Sequence, residues 1–114
     1  MKLGEKGEGL AREFLKEKGY KIIRQNYKTP IGEIDIIATD GDTLVFIEVK
    51  TRESIEYGYP FEAVNKAKKR KIANVALLYL KKLKDVPACR FDVVSIFYED
   101  RMPKFDLIKD AFEL

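Results

Sequence analysis

Gly32-Glu33-Ile34-Asp35-Ile36-Ile37-Ala38-Thr39-Asp40-Gly41-Asp42-Thr43-Leu44-Val45-Phe46-Ile47-Glu48-Val49-Lys50-Thr51 reads as two apolar strands around a polar turn. The arms run from Glu33 to Thr39 and from Leu44 to Thr51, and Asp40-Gly41 is a strong hairpin signal. Two acids and a lysine lie inside these otherwise buried-looking arms, where charge costs free energy unless something pairs with it. Side chains alternate along a strand, and directly opposed residues share a face. A two-residue turn at Asp40-Gly41 sets Asp35 against Phe46 and Glu33 against Glu48. A four-residue loop from Asp40 to Thr43 sets Asp35 against Glu48 instead. Both registers put Asp35, Glu48 and Lys50 on one face, whereas a three-residue loop without a bulge separates Asp35 from Glu48 across the sheet.

Carboxylates about 5 to 8 Å apart on neighbouring strands repel unless a proton or cation intervenes. Mg2+, or Mn2+, suits an all-oxygen site. Asp35 and Glu48 would be its ligands, with the Val49 backbone carbonyl, water and a substrate phosphate completing the octahedron. Lys50, about 7 Å along the strand from Glu48, reaches an attacking water or the scissile phosphate. The chemistry this set supports is phosphodiester hydrolysis, the ion activating water and the lysine stabilising charge in the transition state. The competing reading is a solvated hairpin face carrying cross-strand ion pairs. Against it, Ile37, Leu44 and Phe46 share the charged face while Val45, Ile47 and Val49 fill the other, as in a central strand.

Outward from the hairpin, the spacing of Leu10/Phe14 and Ala11/Leu15 predicts a helix from about Glu5 to Lys18, with Gly19 at its C-cap. A strand over Tyr20 to Arg24 and a polar connection with Asn26, Thr29 and Pro30 follow. Beyond the hairpin lies a polar loop from Arg52 to Tyr59. Pro60 then opens a helix to about Leu83, with Val64, Ile72, Val75, Ala76, Tyr79 and Leu83 as its inner stripe. Arg90 to Phe97 and Lys104 to Ile108 read as closing strands. The order α-β-β-β-α-β-β implies an α/β sandwich around a mixed sheet.

The 114 residues suffice for a single domain, 1–114. A net charge of +3 is too small to establish a polyanionic partner. No apolar stretch approaches a membrane span or a signal peptide, so no membrane partner and a cytoplasmic location are expected. The chain has no histidine and one cysteine, Cys89, which excludes within it histidine-based acid/base catalysis, a Ser-His-Asp triad, histidine-ligated zinc, an internal disulfide and multi-cysteine metal sites. Gly4-x-x-Gly7-x-Gly9 follows no strand and matches no dinucleotide or P-loop pattern. Cys89 reads as a small buried residue.

The helix bearing Gly7-Glu8, Gly32-Glu33-Ile34-Asp35-Ile36-Ile37-Ala38, Phe46-Ile47-Glu48-Val49-Lys50-Thr51-Arg52 and Arg90-Phe91-Asp92-Val93-Val94 together resemble the YraN family of uncharacterised bacterial proteins. That family looks like a branch of the PD-(D/E)xK nuclease superfamily, close to archaeal Holliday-junction resolvases. The resemblance covers nearly the whole chain. It implies a restriction-endonuclease-like three-layer sandwich and a metal-dependent endonuclease acting on DNA, including branched or damaged DNA. A noncatalytic nucleic-acid-binding protein on the same scaffold is the alternative. Asp35, Glu48 and Lys50 match the superfamily's acid and Glu-x-Lys, with Ile34 standing where the signature has proline. Glu8 matches an acid that resolvase-like members place near the metal. Resolvase analogues are two-fold dimers, which makes a homodimer an expectation.

Other residues carry weaker signals. Glu8 and Arg12 also have the spacing of an i,i+4 surface pair. Glu33 is either a ligand to a second metal or an ordinary strand-edge residue. Lys66, Lys68, Lys69, Arg70 and Lys71 form a basic run suited to phosphate contacts, joined by Arg52, although such runs are usually solvated helix faces. Tyr57, Tyr59 and Phe61 have the chemistry to stack on bases or to pack in the core. Arg90 and Asp92 share a strand face, which reads first as an ion pair and second as support for Lys50.

Overall fold

Helix α1, Leu3–Glu17, buries Ala11 and Leu15 completely and half-buries Leu10 and Phe14, the stripe its spacing predicts. It stops where Gly19 adopts φ of 93°, a conformation that costs glycine little. The Tyr20 N–H returns to the Leu15 carbonyl at 3.0 Å and the Lys18 N–H to Phe14 at 3.1 Å, so the last carbonyls are satisfied. The computed structural model describes residues 3–52 and 66–113. The expected helix start at Pro60, the stripe residue Val64 and the aromatics Tyr57, Tyr59 and Phe61 lie outside them.

Five strands follow the order β1-β2-β3-β4-β5: β1 Lys21–Thr29, β2 Gly32–Asp40, β3 Thr43–Arg52, β4 Cys89–Glu99 and β5 Met102–Ile108. Among the described residues only β3 and β4 pair in parallel, and α2, Lys66–Leu80, lies between them in sequence. α1 covers one sheet face through Ala11, Leu15, Ile36, Val45, Ile47, Val94 and Ile96. α2 covers the other through Ile72, Val75, Ala76, Phe46, Phe91 and Val93. This is the expected restriction-endonuclease-like three-layer sandwich with a mixed sheet. β3 and β4 are apolar on both faces because both faces are covered.

The hairpin closes with Asp40 paired to Thr43, so Gly41 and Asp42 form the turn and Gly41 takes φ of 62°. Thr39 pairs with Leu44 and Ile36 with Ile47. This is the register of the four-residue-loop alternative, carried one pair further, and it rules out the Asp35–Phe46 pairing. β1 is longer than expected: it continues past Arg24 by means of a bulge between Ile22 and Arg24 and a left-handed Asn26, φ 52°. An edge strand with one solvated face tolerates polar residues, which is why Gln25 to Thr29 looked like a connection. Among the described residues, no helix is long and apolar enough to cross a membrane.

Candidate active site

The β2–β3 ladder ends at Ile36–Ile47, and the next residues on the two strands are Asp35 and Glu48. Instead of a backbone partner, the Val49 N–H finds the Asp35 side chain, donating to Oδ2 at 2.8 Å. Asp35 is 8% exposed and Glu48 7%, unusually buried for carboxylates. Glu48 Oε1 accepts from Lys68 Nζ at 2.7 Å and has Lys50 Nζ at 3.8 Å. Together with Glu8, Val49 and Thr51, these four side chains line one cleft of about 320 Å³.

Glu8 reaches this cleft because α1 crosses the end of β3 at close range. A Cβ at Gly7 would run into Thr51 Oγ1, so the approach requires glycine at that helical position. The predicted Glu8–Arg12 surface pair is not what forms: Arg12 hydrogen-bonds Glu13 at 3.3 Å and Gln25 at 3.0 Å.

Burial, then the charge of Glu48 and more weakly that of Glu8, push the Asp35 carboxyl up to about 7, against the Val49 N–H and Lys68. Burial and then the adjacent Lys68 ammonium push Lys50 down. Burial also works to lower Lys68, but hydrogen bonds with Glu48 and Lys50 and the charges of Glu48 and Asp35 outweigh it and raise the group. Two lysines in one cleft are thus driven apart, Lys68 holding its proton and Lys50 loosening it. Divergent titration of neighbouring groups is the electrostatic pattern that acid–base sites share.

The oxygens suit a hard divalent cation, and the acids' mutual repulsion is the stress such an ion relieves. Among the described residues, no three acidic, histidine or cysteine side chains make a metal cage by themselves. Two carboxylates and the Val49 carbonyl, completed by water and phosphate, still meet the needs of Mg2+, which keeps several waters and uses one or two carboxylates.

Of the residues singled out in the sequence, Glu8, Asp35, Glu48, Val49 and Lys50 come together here. Lys68 does not join an outer basic track but is in the cleft on Glu48; its helical spacing from Ile72, Val75 and Tyr79 was the overlooked signal. Lys66, Lys69 and Arg70 instead line a separate hollow of about 360 Å³ with Ala73, Leu77 and Glu113, and Lys71 is exposed. Arg52 is half-buried at the end of β3. Glu33 is exposed and faces a different hollow, beside Lys28 to Gly32, away from the acids.

Arg90 and Asp92 form the expected ion pair, Nε to Oδ1 at 2.9 Å, and belong to a network toward the hairpin end of the sheet. Buried Asp92 also accepts from Tyr20 Oη at 2.7 Å and from the Asp110 N–H at 3.0 Å, while Arg90 reaches Asp40 at 2.8 Å. Tyr20 and Asp40 carried no sequence signal for this role. Cys89 is exposed rather than buried, because it begins β4 at the sheet margin, its thiol turned to the Pro87 carbonyl at 3.3 Å.

The model of the family described as "Uncharacterised protein family UPF0102" matches residues 7–96 of the chain. The "UPF0102 protein" of Geobacter metallireducens is 50% identical over 98% of this chain and 93% of its own length. That of Syntrophus aciditrophicus is 48% identical over 100% and 91%. That of Thermodesulfovibrio yellowstonii is 46% identical over 98% and 96%.

Proposed function

The chain belongs to the uncharacterised protein family UPF0102, the YraN family, and from that premise we propose that it is a cytoplasmic metal-dependent endonuclease hydrolysing phosphodiester bonds of DNA, branched or damaged DNA included. The observation that carries this reading is the pair of buried acids, Asp35 and Glu48, open to one cleft with Lys50 beside them.

Asp35, Glu48 and the Val49 carbonyl would hold Mg2+ or Mn2+, which when bound lowers the pKa of a coordinated water and offsets charge on the phosphate. Lys50, its proton already loosened, hydrogen-bonds the attacking water and orients it toward phosphorus. As that oxygen bonds to phosphorus its proton passes to the Lys50 amine, the P–O bond to the departing strand breaks with its electron pair leaving on that oxygen, and the ammonium so formed offsets the added negative charge. Glu8, which lines the same cleft, would add a further carboxylate near the ion. Lys66, Lys69, Arg70, Lys71 and Arg52 supply phosphate contacts that hold the strand without reading its sequence. Junction-like substrates have two-fold symmetry, and a homodimer presenting two clefts would match them.

A second reading, a noncatalytic nucleic-acid-binding protein on this scaffold, draws on the 2.7 Å pair that already satisfies Glu48. Single-stranded, duplex, flap and four-way DNA incubated with Mg2+ or Mn2+ separate the two. Cleavage that falls by about a hundredfold or more in Asp35→Asn and Glu48→Gln, with salt-sensitive binding retained, supports the nuclease. Binding with no cleavage by the unaltered protein supports the second reading.

A further inference from the structure

Lys68 projects from the buried stripe of α2 into a cleft that also holds Asp35, Glu48 and Glu8. Its Nζ is 2.7 Å from Glu48 Oε1, the distance of a strong charge-assisted hydrogen bond, whereas Lys50 Nζ is 3.8 Å from the same oxygen. Glu48 is nearly enclosed, 8% exposed at its side chain, while Lys68 is 37% exposed. The ammonium therefore approaches Glu48 from the open side of the cleft, the side from which a dissolved cation must also come. A metal and an ammonium cannot both hold that oxygen at bonding distance without severe repulsion. The long, flexible lysine stem lets the ammonium swing away without the helix moving.

We propose that Lys68 is a tethered counterion that competes with the divalent ion for Glu48, so that metal entry proceeds by exchange and releases the ammonium toward the phosphodiester. This rests on the functional reading above and adds a control of metal affinity to it. In the metal-free protein Lys68 offsets the repulsion between Asp35 and Glu48; in the loaded protein the ion takes over that task. Lys68 is on this account a positioning residue that sets the concentration at which the cleft fills.

Calorimetric titration of Mn2+ into the unaltered protein, Lys68→Gln and Lys84→Gln tests the exchange. Lys84 is exposed and outside the cleft, and its replacement removes the same charge. Losing one strong charge-assisted hydrogen bond as a competitor tightens Mn2+ binding roughly tenfold in Lys68→Gln. Lys84→Gln stays within about twofold, the general field being screened. Lys68→Arg, which keeps the cation and the fold, retains the weak binding of the unaltered protein. Mn2+ binding by Lys68→Gln alone would support the exchange outright. Equal or weaker affinity in Lys68→Gln, with the unaltered protein binding Mn2+, overturns it and leaves the nuclease reading standing. Binding by neither protein overturns both.

Discussion

Asp35 concentrates the chemistry of the cleft in one titration. Its carboxyl is raised from 3.8 to about 7 by burial and by the neighbouring acids, so the folded chain holds that proton more tightly than the unfolded chain does. The linked stability is fully present below about pH 4 and is lost as pH rises through about 7, by at most roughly 4 kcal/mol. Denaturant melts of the metal-free protein should thus show stability falling between about pH 4 and 7 and levelling above that, relative to Asp35→Asn, which keeps an oxygen for the Val49 N–H and has no proton to lose. Parallel curves for the two proteins would contradict this. The acids and Lys50 were legible because charge inside apolar strand patterns stands out. Lys68 was not, because a run of basic residues hides which of them faces inward; only its spacing from Ile72 and Val75 marks it, and the run itself points to solvent.

At the scale of elements, the site depends on how closely α1 approaches β3. Gly→Ala within a helix ordinarily stabilises by about 1 kcal/mol. Gly7→Ala should instead destabilise by roughly 1–3 kcal/mol, because the new methyl meets Thr51 Oγ1, and Thr51→Ala should restore most of the loss in a double-mutant cycle. The β4–β5 turn carries strain of another kind: Asp100 and Arg101 both adopt positive φ, 51° and 66°, and Glu99 pairs with Met102 around them. Arg101→Gly should raise stability by about 0.5–1 kcal/mol in thermal melts, since arginine gains nothing from that conformation. Helix and central-strand positions were readable from apolar periodicity. The edges were not: β1 extends through polar residues, and a two-residue turn without glycine gave no hairpin signal.

Across the whole molecule, one end of the sheet is pinned by polar contacts and the other opens into the cleft. Tyr20, Asp40, Arg90 and Asp92 tie α1's exit, the hairpin, β4 and the segment after β5 together, with Asp92 fully buried. Tyr20→Phe leaves Asp92 and Arg90 each short of a partner and should cost about 1–3 kcal/mol of stability while Mn2+ affinity is unchanged. The apolar stripes and the α/β sandwich around a mixed sheet followed from pattern, and the three-layer order from the family resemblance. Within the polar network the Arg90–Asp92 pair was legible from its spacing along one strand; its extension to Tyr20 and Asp40 was not, because those residues are distant in sequence and only the parallel pairing of β3 with β4 brings them to one place.

The proposed nuclease stands on two buried carboxylates holding a divalent ion where a phosphodiester can meet it. Anomalous diffraction from crystals soaked in Mn2+ tests it most directly. An ion held there gives a peak about 2.0–2.3 Å from oxygens of both Asp35 and Glu48, with Lys68 displaced from Glu48. A cleft without such a peak, its Glu48–Lys68 pair intact at saturating Mn2+, would contradict it.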